Sequence, residues 1–203
     1  MTHGNAPRLA AAFLIAALSA PLGGAFSAEA TLADRAGKDA YMRHDPNSPF
    51  NHASHKVEFT PLKYYEPDAG WVFESKLAAF PKQEAVTILD TKGRERKGQV
   101  FGHLSFEKDG GTHTVRVYRM DTKEGHYHGI WFTDTTTGET TYDVGRYLNF
   151  ERSEDPDHVY TLDFNQAYNP YCAYNDAWSC PLPPRENWLA VPIRAGEQVF
   201  PHD

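Results

Sequence analysis

The chain has 203 residues, 40% of them hydrophobic and 23% charged, with a formal net charge of −7. That length supports one domain whose core is large enough to fold without metal or several disulfides. The mildly acidic balance, with no basic stripe, argues against nucleic acid and anionic lipid as partners.

Residues 1–27 read as a signal peptide. Arg8 precedes an apolar run, LAAAFLIAALSAPL, and small residues follow it. The run is too short to span a bilayer comfortably, so stable membrane insertion is not expected. Cleavage fits after Ser27 or after Ala30, and no cysteine stands at the exit to carry a lipid. The expected location is periplasmic or secreted, and loss of Arg8 takes the formal charge from −7 to −8.

Residues 31–203 are expected to form a single β-rich domain, with a helix at 31–44 and a β core at 71–200. In TLADRAGKDAYMRH, Leu32, Ala36, Ala40 and Tyr41 recur at helical spacing. DPNSP, from Asp45 to Pro49, stops the helix. A connector without periodicity follows.

Strand patterns then succeed one another. WVFESKLAAF (71–80) ends at Pro81, and EAVTILD (84–90) runs into the charged turn TKGRERKG. QVFGHLSFEKDG (99–110) carries Gly102, the mark of a bulge or a close approach. Asp109-Gly110-Gly111 signals a hairpin turn before THTVRVYRM (112–120), where Val115 and Val117 share a face. HYHGIWFTD (126–134), HVYTLDF (158–164) and NWLAVPI (187–193) complete the set. Short strands joined by Gly, Asp and Asn turns argue a mainly β, antiparallel domain, a β-barrel or β-sandwich, with an N-terminal α-helix.

Two C-terminal blocks stand apart. The first is DTTTGETTYDVGRYL, with Asp134, Thr136, Gly138, Thr141, Tyr142, Gly145, Arg146, Tyr147 and Leu148. The second is DFNQAYNPYCAYN…CPLPP followed by ENWLAVPIRAGE, with Asp163, Asn165, Tyr168, Asn169, Pro170, Cys172, Cys180, Asn187 and Glu197. Together they resemble the domain of unknown function 1684 family of bacteria and archaea. Ser48-Pro49-Phe50 and Gly102-x-Leu104-x-Phe106 echo it upstream. The resemblance implies one such domain over nearly all of the mature chain, and no catalytic residue or cofactor.

The candidate site residues come from the same blocks. Arg146 follows Gly145 and precedes Tyr147 and Leu148, a setting that buries a guanidinium. A buried guanidinium needs an acid, so Arg146 is either clamped by Asp134, Asp163 or Glu197, or poised for an anionic ligand. Asp163, Asn165, Tyr168 and Asn169 serve equally as turn formers and as an amphipathic ligand lining. Cys172 and Cys180, in an exported chain, are expected to pair as a disulfide contributing about 2–3 kcal/mol.

His126 and His128 put two imidazoles on one strand face, but two ligands do not make a metal site, and none is expected. The family is apolar there, so such a site would belong to this chain alone. Hydrolase elbows, phosphate-binding glycine loops and H-E-x-x-H are missing.

The leading expectation is a cofactor-free domain that binds a small polar or anionic ligand, with Arg146, Asp163, Asn165, Tyr168, Asn169 and Glu197 around one hollow. The alternatives are a hydrolase or isomerase using a carboxylate general base, and a non-catalytic structural or interaction module.

Overall fold

The computed structural model describes residues 26–123 and 125–201. The signal-peptide expectation lies, but for residues 26 and 27, outside them.

Helix α1 runs over Ala28–His44. Ser27 caps it, its Oγ accepting from the Ala30 N–H at 3.2 Å. Glu29 in the first turn, with Arg43 and His44 in the last, complements the helix dipole. The docked face differs from the expected apolar stripe. Thr31 and Met42 are buried, whereas Leu32 is 53% exposed. The helix is held by polar ties from the Arg35–Lys38 side, which turn Leu32, Ala36 and Ala40 outward.

The strands are β1 (Val72–Lys76), β2 (Ala78–Leu89), β3 (Glu95–Lys108), β4 (Gly111–Thr122), β5 (Gly125–Asp134), β6 (Arg146–Asn149), β7 (Val159–Asp163) and β8 (Trp188–Leu189). The main sheet has the order β2-β3-β4-β5-β6, antiparallel throughout, with β8 added parallel to β5. β1 and β7 form a second, two-stranded antiparallel sheet. Among the described residues β2 and β6 do not pair, so no closed barrel forms.

Alternation along the strands explains the core. Val115, Val117, Leu104, Phe106, Ile130 and Phe132 face β7 and its Leu162. Tyr118, Met120, Trp131 and Tyr147 face the other side, where Ile88 and Cys180 cover them. Both faces of the sheet are therefore buried, and β4 carries large apolar residues on each. At Gly102 the β3–β4 register shifts. An added Cβ there would sit 2.7 Å from the Ala78 carbonyl, so only glycine admits β2 so close. The shift also changes the phase of β3, bringing Leu104 and Phe106 to the face that Phe101 occupies. Asp109 (φ 51°) and Gly110 (φ 77°) make the two-residue turn between β3 and β4.

Three sequence expectations change. The 71–80 segment is not one strand: β2 begins at Ala78 and continues past Pro81. Pairing with β3 lapses between Ala79 and Glu84, where Pro81 has no N–H to give, on a strand with a free edge. NWLAVPI yields only the two residues of β8 before the chain turns irregular. RYLN, with no alternation to announce it, forms β6.

Candidate functional site

From Phe164 onward the chain has almost no regular structure, so side chains must satisfy its backbone. They do so in two buried polar knots. In the first, the Arg146 guanidinium donates to Asp134 Oδ2 at 2.9 Å and to the Ile193 carbonyl at 2.8 Å. It also donates to the carbonyls of Ala195 and Glu197. Asp134 Oδ1 takes the Thr136 N–H (2.8 Å), the Thr136 hydroxyl (2.6 Å) and the Ile193 N–H (3.2 Å). Burial lowers the Arg146 pKa against the opposing pull of Asp134.

The second knot centres on Glu197, which is also shut off from solvent. Its carboxylate accepts from Lys38 Nζ (2.6 Å), the Asn169 N–H (3.1 Å), Asn169 Nδ2 (3.2 Å) and the Tyr174 hydroxyl. Lys38 comes from α1, so the helix supplies the counter-ion of a buried acid. Burial, then Glu197, holds Tyr174 well above the usual phenol range, so the phenol stays a donor.

A cleft of about 870 Å³ opens on the other side of these knots. One wall is the outer edge of β6, from Tyr147 to Phe150, with β7 from Tyr160 to Asp163. The loop from Asn165 to Tyr171 and the Trp178–Pro181 segment form a second wall. The third is α1, through Asp34, Arg35, Lys38, Tyr41 and Met42, which one helical face presents together. Seven of the eleven tyrosines line it: Tyr41, Tyr64, Tyr127, Tyr147, Tyr160, Tyr168 and Tyr171.

Three residues of the α1 face, Arg35, Lys38 and Tyr41, each meet a tyrosine. The Arg35 guanidinium lies 4.5 Å from the Tyr64 ring centroid, and Lys38 Nζ 5.1 Å from that of Tyr168. The Tyr41 and Tyr171 hydroxyls are 3.0 Å apart. Arg35 further donates to the carbonyls of Tyr65 (2.7 Å) and Asn165 (3.3 Å). Burial pushes Tyr168 up to about 12, with Tyr127 and Cys180 adding to the rise, so its phenol stays neutral. Burial likewise raises Tyr64, with Glu197 and Asp39 adding and Arg35 opposing.

Besides the Ser179 hydroxyl, which lies toward Asp90, three polar atoms among the lining residues are buried without a hydrogen-bond partner: Arg35 Nε, the Tyr64 hydroxyl and Trp178 Nε1. Buried polar groups are normally paired, so each points to an acceptor brought from outside.

The residues expected around one hollow are thus divided. Asp163, Asn165 and Tyr168 line the cleft; Arg146, Asn169 and Glu197 do not. Asp163 Oδ1 accepts from the Asn165 N–H and Nδ2, both at 2.8 Å, and caps a 3₁₀ turn. Asn165 is itself tied to both backbone groups of Asp68. Arg146 is clamped by Asp134, as one of the two expected readings had it. Sequence reasoning missed Arg35, Lys38, Tyr64 and Trp178; the spacing of Arg35, Lys38 and Tyr41 on one helical face was the available signal.

Cys172 and Cys180 stand side by side as free thiols rather than as the expected disulfide. The Cys172 N–H donates to Cys180 Sγ at 3.2 Å. The rings of His126 and His128 lie 5.5 Å apart, and no cluster of three or more His, Cys, Asp or Glu with metal-binding geometry exists among the described residues.

Fold and cleft together define a class: a mainly β domain of antiparallel sheets whose N-terminal helix walls a tyrosine-lined cleft. The chain belongs to the family described as "Protein of unknown function (DUF1684)", which matches residues 57–198. A solved structure similar to it is the solution NMR structure of the uncharacterized protein from gene locus rrnAC0354 of Haloarcula marismortui. That structure has 34% sequence identity and a TM-score of 0.62, and the match covers 84% of this chain and 92% of the other. No curated protein matches. α1 lies outside the family match, so the cleft joins family residues to a wall that the match does not include.

Proposed function

We propose that the cleft beneath α1 binds a small polar or anionic organic molecule without a cofactor. The observation that carries this reading is the set of unpartnered polar atoms at Arg35, Tyr64 and Trp178 on an aromatic wall. Two of them, the guanidinium and indole N–H groups, can only donate, so the ligand presents acceptors. A volume of about 870 Å³ falls in the range of small-molecule sites. Arg35, rather than Arg146, is the cation placed to meet an anionic group.

Turnover, if it occurs, rests on Asp163, because Glu197 lies off the cleft with its oxygens already engaged. The two polar knots support the further reading that much of the tail motif holds the fold. We also propose that the protein is exported. Cleavage after Ser27 would leave all of α1 in the mature chain, whereas cleavage after Ala30 would cut away its first turn.

Untargeted mass spectrometry of small molecules released from the purified protein tests the binding reading. A compound retained by the wild type and lost from folded Arg35→Ala or Trp178→Phe protein is the expected result. Retention unchanged in both variants would rule the cleft out.

A further inference from the structure

We propose that the ligand of the cleft is a short peptide with a free C-terminus, laid as an added strand between β6 and β7. The inference rests on the cleft reading and names a ligand class for it.

Two strand edges line the cleft without strand partners. β6 pairs along its length only with β5, and β7 only with β1. The outer edge of β6 makes a single bridge, in which Tyr147 and Tyr168 exchange N–H···O bonds of 2.9 and 3.0 Å. Backbone groups alternate sides along a strand, so the Asn149 N–H and C=O point the same way as those of Tyr147. An antiparallel continuation from Tyr168 would bring Gln166 opposite Asn149, but Gln166 belongs to the 3₁₀ turn Phe164–Gln166. Every second residue of β7 likewise turns its N–H and C=O away from β1, toward the cleft. An extended peptide offers donors and acceptors at strand spacing to both edges, and would join the main sheet to the two-stranded one. Tyr168 already shows the β6 edge receiving an extended segment.

The two ends of this seam carry opposite charge. At the end where β7 passes into Asn165, Arg35 spends its terminal nitrogens on the carbonyls of Tyr65 and Asn165, neither of them a carboxylate. Its Nε and the adjacent Tyr64 hydroxyl are left as two unpaired donors, a receptor for a carboxylate. At the other end the Phe150 and Tyr160 rings stack at 4.7 Å, and the exposed carboxylate of Glu151 lines the cleft beside them. It is placed to meet an ammonium. β7 rises roughly 10 Å between Tyr160 and Asp163, about the length of an extended tripeptide. With its carboxylate at Arg35 and its ammonium at Glu151, the peptide runs parallel to β7. Trp178 Nε1, which can only donate, suits a peptide carbonyl.

The floor of the seam is apolar, made by Leu104, Ile130, Leu148 and Leu162. An extended chain turns alternate side chains to opposite faces, so the middle side chain faces this floor and is apolar.

The test incubates the purified protein with the tripeptides Ala-X-Ala, one for each amino acid X, at millimolar concentration and measures retention by equilibrium dialysis and mass spectrometry. Members with apolar X should be retained. Amidation of their C-terminus should weaken binding at least about tenfold, the worth of a charge-assisted bond. That factor should vanish in Arg35→Ala protein, or shrink in Tyr64→Phe where the first variant does not fold. Saturating peptide should slow amide exchange at Asn149 and along β7 at least about tenfold, which a ligand held by side chains alone would not do. No tripeptide retained by the folded wild type, amides held as tightly as acids, or Asn149 exchange unchanged at saturation would each overturn the proposal. The cleft reading fails separately: it survives any of these results when a non-peptide compound released from the wild type is lost from folded Arg35→Ala protein.

Discussion

Arg146 and Asp134 meet at 2.9 Å with both side chains almost fully removed from water. Three tail carbonyls, those of Ile193, Ala195 and Glu197, accept from the same guanidinium. One side chain thus organises the turn after β5, strand β6 and the C-terminal tail. Arg146→Ala leaves Asp134 as an uncompensated buried carboxylate and is expected to cost about 3–5 kcal/mol. For a domain of this size that is a fall in melting temperature of roughly 10 °C. Arg146→Lys should rescue little, since an ammonium cannot reproduce the planar fork. An Arg146→Ala protein that melts like the wild type but releases a bound molecule would return this residue to the binding site.

Asn187 makes a similar point on a smaller scale. It is fully buried, and its Oδ1 accepts from the Arg116 N–H at 2.7 Å. Its Nδ2 donates to the carbonyls of Arg116 (3.0 Å) and Trp131 (2.9 Å). β4 and β5 pair only as far as Tyr118 and Gly129, so the amide bridges the strands where their own ladder stops. Asn187→Ala should cost about 2–3 kcal/mol, the penalty of orphaned buried backbone groups. Chemical denaturation would measure it, and Asn187→Asp should fare no better because it cannot donate to two carbonyls.

The β framework was legible because its signals are local. Val115 and Val117 alternate with polar neighbours, Asp109-Gly110 can only turn, and Gly102 announces its own close approach. β6 was not legible, since four residues carry no period and their outer neighbour is Tyr168, joined by a single bridge. Nor was the fate of the tail acids and amides. Arg146, Asp163 and Glu197 are chemically alike as ligand or clamp, and only the path of an irregular chain decides which ones reach the cleft. The cleft's third wall was least legible of all. Lys38 and Glu197 lie at opposite ends of the domain's sequence, and the polar bond between them turns the apparent apolar stripe of α1 to solvent.

That bond makes α1 separable from the sheets. Lys38→Met should leave the Glu197 carboxylate with its neutral donors, Asn169 and Tyr174, and remove its cation. The loss of one charge-assisted bond, about 1–3 kcal/mol, falls on the docking of the helix. Hydrogen exchange should therefore speed up roughly 10- to 100-fold across Ala28–His44, by conversion of that energy, while β3 and β4 stay protected. Uniform acceleration through the whole domain would show instead that helix and sheets unfold together.

Acid sensitivity should centre on His128. Its ring lies between Phe101 (4.7 Å) and Phe150 (6.2 Å). Burial, then His126, Arg152 and Arg119, lowers its pKa below the ordinary 6.5. Between that lowered folded value and 6.5, the unfolded chain binds more protons than the native one, so stability rises with pH across the window. The contribution is complete above 6.5 and is lost as the pH falls through the folded value. His128→Gln keeps an uncharged polar side chain at every pH, so the variant lacks this part of the slope. Melting temperatures of the two proteins should run parallel above about pH 7 and converge or cross as the pH falls toward 5, where the wild type alone loses ground. Parallel curves throughout would mean that the protonated ring is accommodated between the two phenylalanines at no cost, and the acid sensitivity would then belong to the carboxylates.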